Sequence, residues 1–249
     1  MTMQKKIFRN FTVISLIAVM IAMVLSLGGC SGGSSVEGRG EMVSRDFNVT
    51  NFNAINFSGP YNVTWQQGPA ISVTAVMQEN LFNYFNVLVS NSVLRADFSR
   101  SITVRGNNTP RIYITAPYLE SAHFHGATNA TDWDTIYAEA FYLNTSGAGN
   151  ITLNLEVDNL ILFASGTSDI TISGNANVTD VVVMGTGSIS AENLQIRDAR
   201  VNISGVGNAD INVSDYLDVT LSGVGNIRYR GDPTVTQNVS GLGSVRRMD

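Results

Sequence analysis

The chain has 249 residues, 44% of them hydrophobic and only 14% charged, with 23 glycines, one cysteine and a formal net charge of −5. That composition fits one or two β-rich globular domains and excludes a disordered chain or a disulfide-stapled scaffold. Without residues 1–29 the chain keeps 12 basic residues, all Arg, against 20 acidic ones, a net charge of −8, and that sign without basic clusters excludes nucleic acid as a partner.

The first element is a targeting signal. Lys5, Lys6 and Arg9 precede an apolar run of 17 residues, Phe11 to Leu27, broken only by the hydroxyls of Thr12, Ser15 and Ser26. Leu27-Gly28-Gly29-Cys30 comes next, which resembles a bacterial lipobox. This order predicts a signal peptide over 1–29 and lipidation of Cys30, the new N-terminus. An uncleaved transmembrane anchor is the competing reading, because 17 residues approach the shortest span. Either way the body is expected outside the cytoplasm, tethered to the cell membrane or to an outer membrane. Residues 30–43 are rich in Ser and Gly and read as a flexible tether.

Residues 44–124 read as irregular β structure. Strands are predicted from Ala54 to Phe57, Tyr61 to Trp65, Ile71 to Val76, Val93 to Phe98 and Arg111 to Thr115, with turn signals such as Ser58-Gly59-Pro60 and Gln67-Gly68-Pro69 between them. One helical turn is predicted around Glu79 to Asn86. This half is expected to form an irregular cap on the C-terminal half.

From residue 125 a phrase repeats. It reads SGAGN from Ser146, SGTSD from Ser165, MGTGS from Met184, SGVGN from Ser204 and again from Ser222, and SGLGS from Ser240. Its first glycines are Gly147, Gly166, Gly185, Gly205, Gly223 and Gly241, in steps of 19, 19, 20, 18 and 18, and a fainter copy, HGATN, starts at His125. A fixed period near 19 marks a solenoid. Each phrase leads into alternation, as in Ile151, Leu153 and Leu155 against Thr152 and Asn154, which is the pattern of a half-buried strand. In register, an apolar column forms (Ala130, Ile151, Ile170, Ile189, Ala209, Ile227, Val245). Beside it runs a column of short polar side chains (Asn129, Asn150, Asp169, Ser188, Asn208, Asn226, Ser244), suited to bonding turns. The glycines are expected to supply positive φ, or room where turns approach closely. The predicted fold is all-β, a parallel β-helix of roughly six regular turns, about 25–30 Å long at 4.8 Å per strand. A propeller or sandwich is the alternative, but a blade needs about 40 residues.

These residues carry a resemblance. The opening F-x-x-I-x-x-S-G-x-x-x-V-x-W-x-x-G at Phe52 to Gly68, the segment PRIYITAPYLESAHFHGA at Pro110 to Ala127, and the S-G-x-G-N/D/S phrases together resemble the auto-transporter adhesin, head GIN domain family of bacterial envelope proteins. The resemblance covers about residues 45–246 and implies a right-handed β-helix, with adhesion a label by analogy, since fold alone does not deliver function; no cofactor is expected.

Several groups invite chemistry, each beside a plainer reading. His123 and His125 fall on one face of a strand and need a third ligand, such as Asp132, to hold a metal; otherwise they are an exposed pair. Asp169 in the phrase suggests calcium-binding rolls, but the period is twice theirs, and a structural ladder serves as well. Asp132, Asp134 and Glu139, with Trp133 and Tyr137 among them, could form a glycosidase or lyase site or contact a ligand; the plainer reading is an exposed loop with one anchoring Trp. The balance predicts an envelope protein with a non-catalytic, adhesin-like binding or structural role, its partner a glycan or an envelope or matrix protein, with self-association if an apolar patch closes one rod end; a structural module with no soluble ligand is a further reading. A carbohydrate-active enzyme is the alternative.

Overall fold

The structure, a computed structural model, describes residues 35–248. The predicted signal peptide, Cys30 and the start of the predicted tether lie outside the described residues. In chain order the first strands are β1 (Val36–Glu37), β2 (Met42–Phe47), β3 (Ala54–Ser58), β4 (Tyr61–Gln67) and β5 (Ser72–Gln78). A 3-10 turn, Glu79–Asn83, takes the place of the predicted helical turn. Then come β6 (Phe85–Ser90), β7 (Val93–Phe98), β8 (Ile102–Thr103), β9 (Arg111–Ala116), β10 (Ser121–His125), β11 (Thr128–Trp133) and β12 (Ile136–Thr145). The regular region holds β13 (Ala148–Ala164), β14 (Thr167–Val183), β15 (Thr186–Ile203), β16 (Val206–Leu221), β17 (Val224–Arg230), β18 (Thr234–Val239) and β19 (Leu242–Arg247).

The molecule is the predicted β-solenoid. Each of β13 to β16 runs through a full turn and pairs in parallel with the next, and the register is the one the phrases give: Ala130, Ile151, Ile170, Ile189, Ala209, Ile227 and Val245 are successive partners. The first five of these after Ala130 illustrate why the ladder closes. Their side chains point inward, and from Ile151 to Ile227 they are at most 4% exposed. Facing columns fill the rest of the coil, as in Leu143, Leu162, Val181, Val201 and Val219. Burying such side chains stabilises by about 1.5–3 kcal/mol each. The one 20-residue step is absorbed at a corner of β15, where Glu192 to Leu194 bulge between Ala191 and Gln195.

The N-terminal half is more than a cap. The strands β3 and β4 form a solenoid turn, since β3 pairs in parallel with β10 and β4 with β11. On their other side β7 and β9 lie parallel to β3 and β4 as a further turn. The turns are therefore out of chain order: β7 with β9 comes first along the rod, then β3 with β4, then β10 with β11. Antiparallel strands end the ladder, β6 on β7 and β5 then β2 on β9. Residues 36–43, read from the sequence as tether, are partly in strands, because β1 pairs with β8 and β2 begins at Met42.

Aromatic rings fill this end. Phe57, Tyr61, Phe85, Phe98 and Phe124 meet edge-on or tilted at 5.1–6.5 Å, with Tyr61 stacked on Phe98. At the other end two core columns turn polar: Val219 gives way to Gln237, and Tyr229 to Arg247, which bonds Asp232 at 3.0 Å. Charge at the terminal turn discourages a further strand from adding there. Among the described residues no helix is long and apolar enough to cross a membrane.

Candidate functional site

The phrase builds a corner of the coil, and its two glycines do different work. A Cβ on Gly147, Gly166, Gly185, Gly205, Gly223 or Gly241 would overlap the carbonyl oxygen of the glycine one turn below. The first glycine is therefore needed for room. The second glycine, at Gly149, Gly187 and Gly225, also has φ of +147° to +148°, which disfavours any side chain. Ser168 stands in this second column and puts its buried hydroxyl on Thr145 Oγ1, 3.0 Å away.

The polar column beside it ties turn to turn. Asn129 Oδ1 accepts from Asn150 N at 3.1 Å, Asp169 Oδ1 from Ser188 N at 3.1 Å and Asn208 Oδ1 from Asn226 N at 2.9 Å, while Ser244 Oγ donates to Asn226 Oδ1 at 2.8 Å. Asp169 performs the same task as the asparagines, accepting a backbone bond from the next turn.

His123 and His125 lie on the outer face of β10. Burial, with His125 and Arg95 nearby, pushes His123 down to about 4, and its ring packs tilted on Tyr142 at 5.2 Å. Burial also lowers His125, whose Nδ1 meets Ser146 Oγ at 2.7 Å. Asp132 sits on β11 beside Thr64. Among the described residues no three His, Cys, Asp or Glu side chains converge to hold a metal.

Trp133 faces the core. Its Nε1 donates to Val63 O at 2.8 Å and its ring packs against Trp65 and Phe124, so its indole is engaged in anchoring β11 to β4 rather than offered to a ligand. Asp134 Oδ2 accepts from Gln67 N at 3.1 Å. Tyr137 points the other way and is 59% exposed. Among the described residues its hydroxyl has no hydrogen-bond partner and its ring no aromatic neighbour.

Beside Tyr137 an open groove of about 390 Å³ crosses the turns. Ala138 and Val157 lie at its base, and Glu139, Glu156, Asp158, Asn175 and Asn177 line it. Register places Tyr137, Glu156, Asn175 and Gln195 in one column. Asn175 Nδ2 donates to both Glu156 oxygens at 2.9 and 3.0 Å, and Asn177 Nδ2 to Asp158 Oδ1 at 2.6 Å. Of this group the sequence reading singled out only Tyr137 and Glu139. Extending the 19-residue alignment beyond the phrase finds the rest, since 156 and 175 are 137 plus one and two periods.

Comparison with known proteins agrees with this architecture. The sequence matches the family described as "Putative auto-transporter adhesin, head GIN domain" over residues 51–233. A crystal structure of a "putative adhesin" from Bacteroides fragilis superposes with a TM-score of 0.82 at 24% identity, covering 86% of this chain and 100% of that one. An adhesin structure of the same description from Parabacteroides distasonis gives 0.68 at 26% identity, with 86% and 100% covered. A "putative lipid binding protein" from Parabacteroides distasonis gives 0.66 at 21% identity, with 87% and 100% covered. No curated protein is significantly similar in sequence. With nearly three quarters of its length matched, the chain belongs to the auto-transporter adhesin, head GIN domain family.

Proposed function

We propose that the chain is an envelope lipoprotein, held by lipid on Cys30, whose β-helix is a non-catalytic binding head exposed outside the cytoplasm. The observation that carries this reading is how the candidate chemical groups are used. The Asn, Asp and Ser side chains of the phrases bond the next turn, His125 bonds Ser146, His123 packs on Tyr142, and Trp133 anchors β11. What remains outward is a largely polar surface with a groove, crossed at the C-terminal end by the exposed apolar column of Val206, Val224 and Leu242, and suited to many weak contacts multiplied by clustering on a membrane. Membership of an adhesin family supports the same reading. The enzyme alternative is weaker, because Asp134 holds the Gln67 amide while Glu139 lines the groove, so these carboxylates serve different places.

The test is an array of glycans and matrix proteins probed with the mature chain carrying Cys30→Ser, with and without calcium. Saturable binding is expected. Release of product from a glycan would move the enzyme reading ahead, and binding to nothing on the array would refute an adhesive head. Membrane fractionation of the full chain tests the anchor: Cys30→Ser is expected to shift the protein from the membrane to the soluble fraction.

A further inference from the structure

We infer that the groove beside Tyr137 is a binding site for an extended neutral polysaccharide, one that lies along the rod axis with a sugar ring stacked on Tyr137. This inference rests on the adhesive reading above and locates it.

The groove follows the ladder. Glu156 and Asn175 of its lining run with the parallel ladder, and register continues their column to Tyr137 one turn before and Gln195 one turn after, at about 4.8 Å per turn and roughly 14 Å in all. The companion column, Glu139, Asp158 and Asn177, sits two residues further along each turn, with the small apolar base of Ala138 and Val157 between. An open track that follows the ladder suits a linear polymer better than a compact molecule.

Its chemistry selects sugars. Hydroxyl-rich ligands need many acceptors and donors held in fixed directions, because each bond must replace one made to water. Here the carboxamides of Asn175 and Asn177 are pinned on Glu156 and Asp158, which fixes four planar groups without help from a ligand. The carboxylates keep free lone pairs for hydroxyl donors, and each carboxamide oxygen accepts as well. Tyr137 adds what a purely polar groove lacks, an exposed apolar face with a hydroxyl at its rim, able to cover the C–H face of a sugar ring. The charge selects among sugars. Glu139, Glu156 and Asp158 would repel uronate or sulfate groups, so an uncharged chain fits and an anionic one does not.

The experiment measures binding of the mature chain carrying Cys30→Ser to soluble neutral polysaccharides (a β-glucan, a xylan, a mannan) and to anionic polygalacturonate, by affinity electrophoresis and calorimetry. The variants are Tyr137→Ala, Tyr137→Phe and Asn175→Ala, with Tyr113→Ala as an exposed tyrosine elsewhere. Retention of the wild-type melting temperature identifies the folded variants. The expected result is binding to at least one neutral polymer and not to polygalacturonate. Tyr137→Ala should weaken it about tenfold or more, Tyr137→Phe should keep most of it, and Tyr113→Ala should leave it unchanged. Binding that survives both Tyr137→Ala and Asn175→Ala would overturn the site and leave the adhesive function standing. So would binding only to polygalacturonate or to a matrix protein. Calcium binding at the groove, lost in Asn175→Ala and unaccompanied by any glycan binding, would overturn it in favour of a cation site. Failure to bind any glycan or matrix protein would sink the adhesive reading and this inference with it.

Discussion

Gly205→Ala separates the two reasons a repeat glycine can be required. Gly205 lacks positive φ, so alanine meets no backbone penalty there. Its Cβ would overlap the Gly185 carbonyl and crowd the Met184 carbonyl carbon, which belong to backbone that cannot rotate away. To fit, the turn must lift from the one below, where Ser204 N bonds Val183 O and Val206 N bonds Gly185 O, both at 2.9 Å. Overpacking a tight site costs about 1–3 kcal/mol, and weakening two backbone bonds adds about 1 kcal/mol each. The sum is about 3–5 kcal/mol, or a fall in melting temperature of about 10 °C for a chain of this size. Gly106→Ala is the opposite case: φ is +62° and nothing lies within 4 Å of the new Cβ. It meets only the left-handed penalty, about 1–2 kcal/mol, and loses a few degrees. Thermal and urea unfolding monitored by circular dichroism reads both. If Gly205→Ala costs no more than Gly106→Ala, close stacking is not what the phrase glycine provides.

Other outcomes rest on single contacts. His123 has its folded value pushed down to about 4, against 6.5 unfolded, so the neutral ring is the form the fold prefers. Its contribution, up to about 3 kcal/mol, is fully present above pH 6.5 and is lost as pH falls from 6.5 towards 4; urea titrations at pH 7 and 4.5 should show that loss, and His123→Gln should shrink it. Asp169→Ala removes the acceptor of Ser188 N and should cost about 1 kcal/mol, whereas Asp169→Asn should be near neutral at any calcium concentration, since Asn129 and Asn208 make the same bond. Trp133→Phe gives up the 2.8 Å bond to Val63 O and should lower stability by about 1–2 kcal/mol while leaving polysaccharide binding intact; a loss of binding with unchanged stability would return Trp133 to the ligand.

The regular turns were legible because each phrase carries its own register. A glycine, a short polar side chain and an inward Ile or Ala recur together, and a slip of one residue would turn every apolar side chain to solvent. The first turns were not legible for a geometric reason. Ser58-Gly59-Pro60-Tyr61-Asn62 is another copy of the phrase: Ser58 pairs with His125 and Asn62 with Asn129. It lies 67 residues before the copy it stacks against, because β5 to β9 are inserted between them and fold back on the outer edge. A search for a constant period passes over such a copy. For Trp133 and Tyr137 the sequence shows two aromatic residues four apart and not which one faces the core; that depends on the turn at Asp134, fixed by its bond to Gln67 N.

The same physics indicates where in this fold a ligand site can arise. Inward columns must stay apolar, the phrase glycines must leave room, and the Asn/Asp/Ser column must bond the next turn, so these positions are committed to closing the coil. Outward positions carry no such obligation, and the face that continues β10 mixes small polar residues, Ser165, Asn202, Ser204, Thr220 and Ser222, with the ion pairs of Arg200 to Asp180 and Asp218. The corner spanning 137–139, 156–158 and 175–177 differs in kind. It combines an exposed ring, three carboxylates and two pinned carboxamides at positions where the ladder requires only Ala138, Val157 and Ala176 to point inward. Side chains at positions the inward pattern leaves free, held by bonds to one another across turns, are what preorganised recognition requires, and that is why the groove is a place to look for a ligand.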